Sequence, residues 1–362
     1  MKNYLNKIHY LKEIKPQDRL FLGILLPCSF FYGIIVQIRE LLYKFTILKS
    51  TKLNSYVISI GNLTTGGTGK TPITCEIANY INEKINKKVA IISRGYGGKL
   101  SNKNTNIISD GENVFYNSIQ AGDEPFWMAE NCKDTAIVTG KNRVKSGQYA
   151  IGHFKSEVLL LDDGFQHLKL KRDLDIVLID CIKVSGNGFL LPAGPLREPE
   201  KRIKRADKIV IVNKKPFDET SEKQCEIVAQ KIQEKYSKEC VVCKLKPDKI
   251  YDLKTNEPFS PSKTIAFAGI GQPEFFFNSL KNQQIELLDE VVFTDHYLYT
   301  KLDIENIIEK ARKKGADSII TTEKDAVKLM PFLNEINSEI KICALKLRVE
   351  LDLEELLKDI PC

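Results

Sequence analysis

Gly61-Asn-Leu-Thr-Thr-Gly-Gly-Thr-Gly-Lys-Thr71 decides how this chain reads. An apolar, β-branched run, Tyr56 to Ile60, precedes it, and a helix-like stretch from Pro72 to about Ile81 follows. The order is strand, glycine-rich turn, helix. Glycines let the backbone curl so that successive N–H groups converge on phosphate oxygens, and a helix N-terminus adds its positive dipole end. In that arrangement the loop from Thr64 and Thr65 through Gly66, Gly67, Thr68 and Gly69 cradles phosphates. Lys70 reaches the β and γ phosphates, and the Thr71 hydroxyl suits Mg²⁺. The usual pattern has glycine where this chain has Thr64. A plain βα turn is the alternative, and the flanking strand and helix argue against it.

Beyond the loop, short β-branched runs alternate with helical stretches. Lys88–Ser93, Thr135–Thr139, Val158–Leu161, Asp175–Asp180 and Lys208–Asn213 are continuously apolar instead of alternating, as in parallel strands covered on both faces. The fold class expected is α/β: a phosphate-loop parallel sheet flanked by helices. At 362 residues the chain exceeds what one core usually holds, so a second, smaller α/β domain is expected as well. The division predicted is 1–50 for an amino-terminal tail and apolar helix, 51–217 for the phosphate-loop core, and 218–362 for the smaller domain.

Leu20–Val36 carries no charged residue, and its seventeen residues span roughly 26 Å as a helix. Pro27 lies inside it. Lys2, Lys7, Lys12, Lys15 and Arg19 precede the run, and Arg39, Lys44, Lys49 and Lys52 follow, a near balance that leaves charge asymmetry little say in orientation. No small-residue cleavage site follows. A membrane anchor, inserted in one leaflet or spanning, is expected in preference to a buried core helix.

Charge and cysteines narrow the class further. The net charge of +7 suits an anionic surface or substrate, but no basic stripe interleaved with aromatics speaks for nucleic acid. Nine scattered cysteines form no disulfide framework and fit a reducing compartment; Cys240-Val-Val-Cys243 reads as part of a strand.

Several strand ends carry chemistry. Val158-Leu-Leu-Leu-Asp162-Asp163 ends in two carboxylates that would repel without a cation, and Asp162 is the candidate for Mg²⁺ beside Thr71. Gln166 and His167 follow at the same sheet edge. Gly122-Asp123-Glu124-Pro125 is a second acidic pair, readable as a helix start or as the carboxylate that accepts a proton from an attacking hydroxyl. Ser93-Arg94-Gly-Tyr96-Gly-Gly98 ends another strand, where Arg94 can meet an anionic group. Leu191-Pro-Ala-Gly-Pro-Leu-Arg197-Glu198-Pro199 is a rigid connection presenting two charges. Asp295-His296-Tyr297 and Thr321-Thr-Glu-Lys-Asp325 lie in the second half, and on residue type alone both read as structural.

Taken together, these segments resemble one family, tetraacyldisaccharide 4′-kinase, the lipid A 4′-kinase of Gram-negative bacteria. The matching elements are the apolar helix, GNLTTGGTGKTP, SRGYGG, GDEP, LLLDDGFQH, LLPAGPLREP, DHY and TTEKDAVK, in that order. The resemblance implies ATP- and Mg²⁺-dependent transfer of the γ-phosphoryl group to the 4′-hydroxyl of an acylated glucosamine disaccharide 1-phosphate. It implies Lys70 and Thr71 on ATP and metal, Asp162 as the acidic strand end, Asp123 as base and His296 paired to it. Arg94, Tyr96, Glu124, Asp163, Gln166, His167, Arg197 and Glu198 are the implied supporting ligands. It also implies the cytoplasmic face of the inner membrane, an anionic surface as partner, and no obligate protein partner. The competing reading is a membrane-tethered regulatory ATPase or GTPase. Against it, Thr65 stands where partition ATPases have lysine, and Asn213-Lys-Lys-Pro216 lacks the closing aspartate of a guanine-reading motif.

Overall fold

The computed structural model describes residues 8–10, 16–103 and 105–361. Lys2, Lys7, Lys12 and Lys15 lie outside them. Among the described residues, twelve strands form one sheet in the order β10-β9-β11-β12-β8-β7-β6-β1-β5-β2-β4-β3.

Helix α1 (Pro16–Lys44) precedes β1 (Tyr56–Asn62), α2 (Lys70–Tyr80), β2 (Val89–Ser93), β3 (Asn106–Ser109), a short α3 (Ser118–Ala121) and α4 (Asp123–Asn131). Then follow β4 (Thr135–Thr139), α5 (Arg143–Phe154), β5 (Val158–Asp162), β6 (Leu174–Asp180), β7 (Lys208–Asn213) and α6 (Glu219–Tyr236). The remainder is β8 (Cys240–Asp252), β9 (Lys263–Ala268), α7 (Pro273–Asn282), β10 (Glu286–Val292), α8 (Lys301–Lys314), β11 (Ser318–Thr322), α9 (Glu323–Leu329), β12 (Lys341–Glu350) and α10 (Leu353–Leu357).

Strands β4, β2, β5, β1, β6 and β7 are mutually parallel, as the unbroken apolar runs predict. Successive residues of each strand point to opposite faces. Ile58, Ile91, Leu160 and Ile176 enter one core, while Val57, Ala90, Leu159 and Leu161 enter the core behind it. Covered on both faces, such strands have no polar side to alternate.

Two features depart from a purely parallel sheet. The four-residue edge strand β3 runs antiparallel to β4. The thirteen-residue β8 joins the two halves: its start pairs parallel with β7, and from Lys244 onward it pairs antiparallel with β12. The second half therefore continues the first half's sheet through a single strand. The chain also returns, since Leu353, Leu356, Leu357 and Ile360 pack into the same core as Ile58 and Leu160.

Helix α1 is not a core helix. Leu22 is buried with Ile8 and Ala193, and Phe21 and Leu25 pack against them. Leu20, Ile24, Phe31, Ile35 and Ile38, spaced three, four or seven residues apart, are exposed. Pro27 is accommodated within the helix. Asp18–Lys44 is long and apolar enough to cross a membrane. Six described cysteines are free; Cys75 of α2 and Cys132 after α4 are instead joined as a disulfide, a pairing that cysteine spacing did not suggest.

The core predicts a cost. Leu160 is fully buried on the central strand β5, so Leu160→Ala should lower unfolding free energy by about 2–5 kcal/mol in urea titration. A loss within error of zero would mean that β5 is not central to the packing.

Candidate active site

The phosphate loop follows β1 as the sequence predicts, with Lys70 opening α2. The Lys70 ammonium donates to Asn62 Oδ1 at 3.2 Å and lies 3.5 Å from Asp163 Oδ1. Among the described residues, the N–H groups of Gly66, Gly67, Thr68 and Gly69 donate to no protein group, and the buried Thr68 hydroxyl has no partner. Unsatisfied donors at a helix N-terminus are what an anion needs. Thr65 is held from outside: its N–H donates to Pro195 O at 2.8 Å, and its carbonyl accepts Tyr10 Oη–H at 2.8 Å.

The two carboxylates that end β5 behave oppositely. Asp163, in the left-handed region at φ 51°, receives Arg197 through both oxygens, at 2.9 and 2.7 Å, besides Lys70. Burial pushes its carboxyl up, but Lys70 and Arg197 outweigh burial and hold it at about 2. Asp162 is buried, accepts only the Ser93 hydroxyl at 3.3 Å, and keeps Oδ1 without a partner. Burial, with Glu124 and Asp163 as like charges, pushes Asp162 up to about 7. A buried, half-satisfied carboxyl of this kind is a cation's place more than a structural residue's.

Asp123 opens α4. Glycine packing puts it there: a Cβ on Gly98 would lie 2.5 Å from Ala121 C, and one on Gly122 would lie 2.7 Å from Tyr96 O. The loop carrying Arg94 and Tyr96 thus lies backbone to backbone on the turn before Asp123. From the other half of the chain, His296 Nδ1 stands 3.6 Å from Asp123 Oδ2, and Lys328 Nζ stands 3.7 Å away. His296 also has a left-handed backbone, φ 61°, and Tyr96 meets its ring edge-on at 6.5 Å. Left-handed non-glycine residues such as Asp163 and His296 are uncommon and collect at functional sites.

The supporting residues divide. Arg197 holds Asp163, Glu124 acts on Asp162 as a like charge, Tyr96 meets His296, and Arg94 lies within electrostatic reach of Arg143. Glu124 pairs with Lys324 at 3.4 Å, so α4 and α9 are tied twice across the halves. The Gln166 side chain donates to Asn62 O at 3.0 Å, and its backbone carbonyl accepts from Arg39 of α1 at 2.7 Å. Burial, then Arg143, Arg39 and Arg172, push the His167 imidazole down to about 4, so it is neutral near pH 7. Glu198 is buried and faces Arg205 at 2.9 Å. Its carboxylate orders the loop's base.

Sequence reasoning missed three groups. Asn62 meets the lysine of the loop. Arg143, the first residue of α5 at the carboxyl end of β4, lies within electrostatic reach of Arg94, Asp162 and Asp163. Lys328 is almost fully buried and pairs with Asp325 at 2.8 Å, while Asp325 accepts Gly269 N–H at 2.8 Å. Asp325 is structural, as its residue type suggests, and what it holds is Lys328. Position at the carboxyl edge was the available signal for Arg143; for Lys328 there was only its i,i+3 spacing from Asp325.

A titration follows from Asp162. A carboxyl raised from about 3.9 to about 7 favours the folded state fully below pH ~4, and that contribution is lost as pH rises through 7. Asp162→Asn should therefore raise the metal-free melting temperature by roughly a few degrees at pH 8 and much less at pH 5. An equal shift at both values would show that Asp162 is ionised throughout.

Comparison with known proteins shows which family the chain resembles across its length. The family model described as tetraacyldisaccharide-1-P 4′-kinase matches residues 21–361. A tetraacyldisaccharide 4′-kinase from Geobacter metallireducens is 40% identical over 326 residues, 88% of this chain and 92% of that protein. One from Halothermothrix orenii is 37% identical over 323 residues, 86% and 84% of the two chains. A crystal structure of LpxK from Aquifex aeolicus in complex with ATP is 33% identical, with a TM-score of 0.72, covering 93% of this chain and 97% of that one.

Proposed function

The chain belongs to the tetraacyldisaccharide 4′-kinase family and is a lipid A 4′-kinase, and we propose that Asp123 takes the proton of the acceptor hydroxyl while the loop and Lys70 hold ATP. The acceptor is then the 4′-hydroxyl of an acylated glucosamine disaccharide 1-phosphate. One observation carries the assignment: Asp123, the first residue of α4 in one half, faces His296 and Lys328 of the other at 3.6 and 3.7 Å.

Phosphoryl transfer asks for positioning and charge neutralisation more than covalent chemistry. The free loop amides and Lys70 supply part of that charge, and Arg94 and Arg143 add cations around it. Asp123 Oδ2 is the proton acceptor. His296 orients that carboxylate and shares charge as it takes the proton, while Lys328 sets a buried positive charge beside it. We take 51–217 as the lobe that binds ATP and 218–362 as the lobe that delivers His296, so that approach of the lobes completes the site.

The residues fit Mg²⁺. Asp162 offers a buried oxygen without a partner, and Thr71 offers a hydroxyl, both hard donors. Among the described residues no cluster of three His, Cys, Asp or Glu could hold a metal alone, which suits an ion completed by phosphates and water. When bound, Mg²⁺ neutralises charge on the transferred phosphoryl group.

The docked helix α1 supports a place on a membrane surface. Its inner face meets the 190–197 loop: Tyr32 Oη donates to Arg197 O at 2.9 Å, and Ser29 donates to Leu190 O. Its outer apolar stripe is left for lipid. We propose that this stripe lies in the cytoplasmic leaflet of the inner membrane, with the anionic surface as partner and the acceptor sugar at headgroup level.

Kinetics test the base. Asp123→Asn should lower kcat about 10²–10⁴-fold with little change in KM for ATP. His296→Asn should lower kcat less, and the double variant should be no slower than Asp123→Asn alone. A His296→Asn enzyme with the parent's kcat would refute the pairing. Vesicle sedimentation tests the helix: Ile24→Ser, Phe31→Ser and Ile35→Ser together should abolish binding to anionic liposomes, each side chain contributing about 1.5–3 kcal/mol, without lowering the melting temperature. Undiminished binding would place the contact elsewhere.

A further inference from the structure

Ile8-His9-Tyr10 lies ahead of residues 21–361, over which the chain matches its family, so the resemblance assigns it no role. The structure seats it against the connection that follows β6. Ile8 is fully buried beside Leu22 of α1 and Ala193. His9 Nε2–H donates to Pro192 O at 3.0 Å, and the His9 carbonyl accepts Asn187 N–H at 2.8 Å. A Cβ on Gly186 would run into the His9 carbonyl and lie 3.1 Å from Tyr10 Cδ1, so glycine is what lets the segment press this close. The Lys183 ammonium stands 4.2 Å from the centre of the Tyr10 ring, a cation–π contact that holds the ring in place.

What the held ring presents is its hydroxyl. Tyr10 Oη–H donates to the Thr65 carbonyl at 2.8 Å, while Thr65 N–H donates to Pro195 O at 2.8 Å. A trans peptide is planar, so its C=O and N–H point in opposite directions. Drawing the Thr65 carbonyl to Tyr10 therefore turns the next N–H, that of Gly66, to the side away from Tyr10. Among the described residues that N–H has no protein partner, which leaves it open to an anion. Gly66 has φ 109°, and glycine accepts either orientation of the preceding peptide at little cost, so the loop alone does not choose. Tyr10 makes the choice. Burial pushes its phenol up to about 12, so the group stays a donor throughout the neutral range.

Resting on the reading of this loop as the cradle for ATP phosphates, we infer that Tyr10 is a positioning residue: its hydroxyl holds the Thr65–Gly66 peptide in the orientation that offers the Gly66 amide to a phosphate oxygen. Tyr10 touches no reacting atom and acts through Thr65. The segment and α1 clamp one connection between them. Ser29 and Tyr32 of α1 donate to Leu190 O and Arg197 O, while Ile8 packs on Ala193 and His9 holds Pro192 O. Pro195 of the same connection takes the Thr65 N–H, so both hydrogen bonds that fix Thr65 trace back to this clamp.

Tyr10→Phe keeps the ring and removes the hydroxyl, so it isolates the hydrogen bond. KM for ATP and the inhibition constant for inorganic tripolyphosphate should rise together, about three- to tenfold, as one lost hydrogen bond predicts. KM for the acceptor lipid should stay within about twofold, and binding to anionic liposomes should not change. Tyr10→Ala should raise KM for ATP at least as far. A KM for ATP that Tyr10→Phe leaves unmoved overturns the inference whatever Tyr10→Ala does, because ring packing would then be the whole effect. So does a rise for ATP and lipid alike, which would mean general loosening, or a rise for ATP without one for tripolyphosphate, which would place the effect away from the phosphates. A parent enzyme that tripolyphosphate does not inhibit would sink the reading of the loop and this inference with it, whereas failure of the variants alone leaves that reading intact.

Discussion

Asp163 is the point on which the site turns. Its carboxylate accepts Arg197 Nη1–H on both oxygens and lies beside the ammonium of Lys70, so one side chain fixes the phosphate loop's cation and the proline-rich loop together. The balance of charge explains why the neighbours differ. With two cations committed to Asp163, Asp162 is left buried with a single hydroxyl partner, and its proton is held to about neutral pH. A metal-free Asp162 is thus poised between acid and carboxylate, and whatever cation enters must displace that proton.

The same interaction reaches outward. Arg197 belongs to the loop whose carbonyls receive Tyr32 and Ser29 of α1, and Arg39 of α1 reaches the Gln166 carbonyl in the turn after Asp163. The apolar helix is therefore not a tether on a flexible leash. It is braced against the backbone that carries the charged groups, so the exposed stripe has a set orientation relative to the phosphate loop. On the proposed placement of the stripe in a membrane, that bracing would let the acceptor sugar meet the site while its acyl chains stay in lipid, where each buried methylene is worth about 0.8 kcal/mol.

Much of this was legible in the sequence because its physical causes are local. Val158–Asp162 or Lys208–Asn213 reads as a buried parallel strand from composition alone, and the phosphate loop announces itself through glycines between strand and helix. The four-residue β3 was not legible, being too short to show a period, and neither was the seam at β8, whose pairing with β7 and then β12 is decided by partners over a hundred residues apart. His296 is the sharpest case. Its residue type and a short polar loop gave no reason to prefer catalysis, and only the resemblance to a family pointed to Asp123. The reason lies in the fold: two halves of the chain share a single sheet, and α9 lies against α4, an arrangement that no local pattern encodes.

The cations missed from sequence share a physical trait that explains the omission. Lys328 and Arg143 have long stems buried among neighbours with only their charged ends facing the carboxylates, so in sequence each is one basic residue among 54. Burial gives such groups their weight. An exposed lysine 3.7 Å from a carboxylate is largely screened by water, whereas Lys328, 3% exposed, acts on Asp123 through protein and is itself anchored by Asp325. Asp325 in turn is fixed by the Gly269 amide at the end of β9, and His296 donates its own N–H to the Gly269 carbonyl. Gly269 thus holds both groups that face Asp123, so the lysine and the imidazole move as one unit with the end of β9. The carboxylate on the other side therefore faces one rigid pair, at 3.6 and 3.7 Å, and not two independently placed groups.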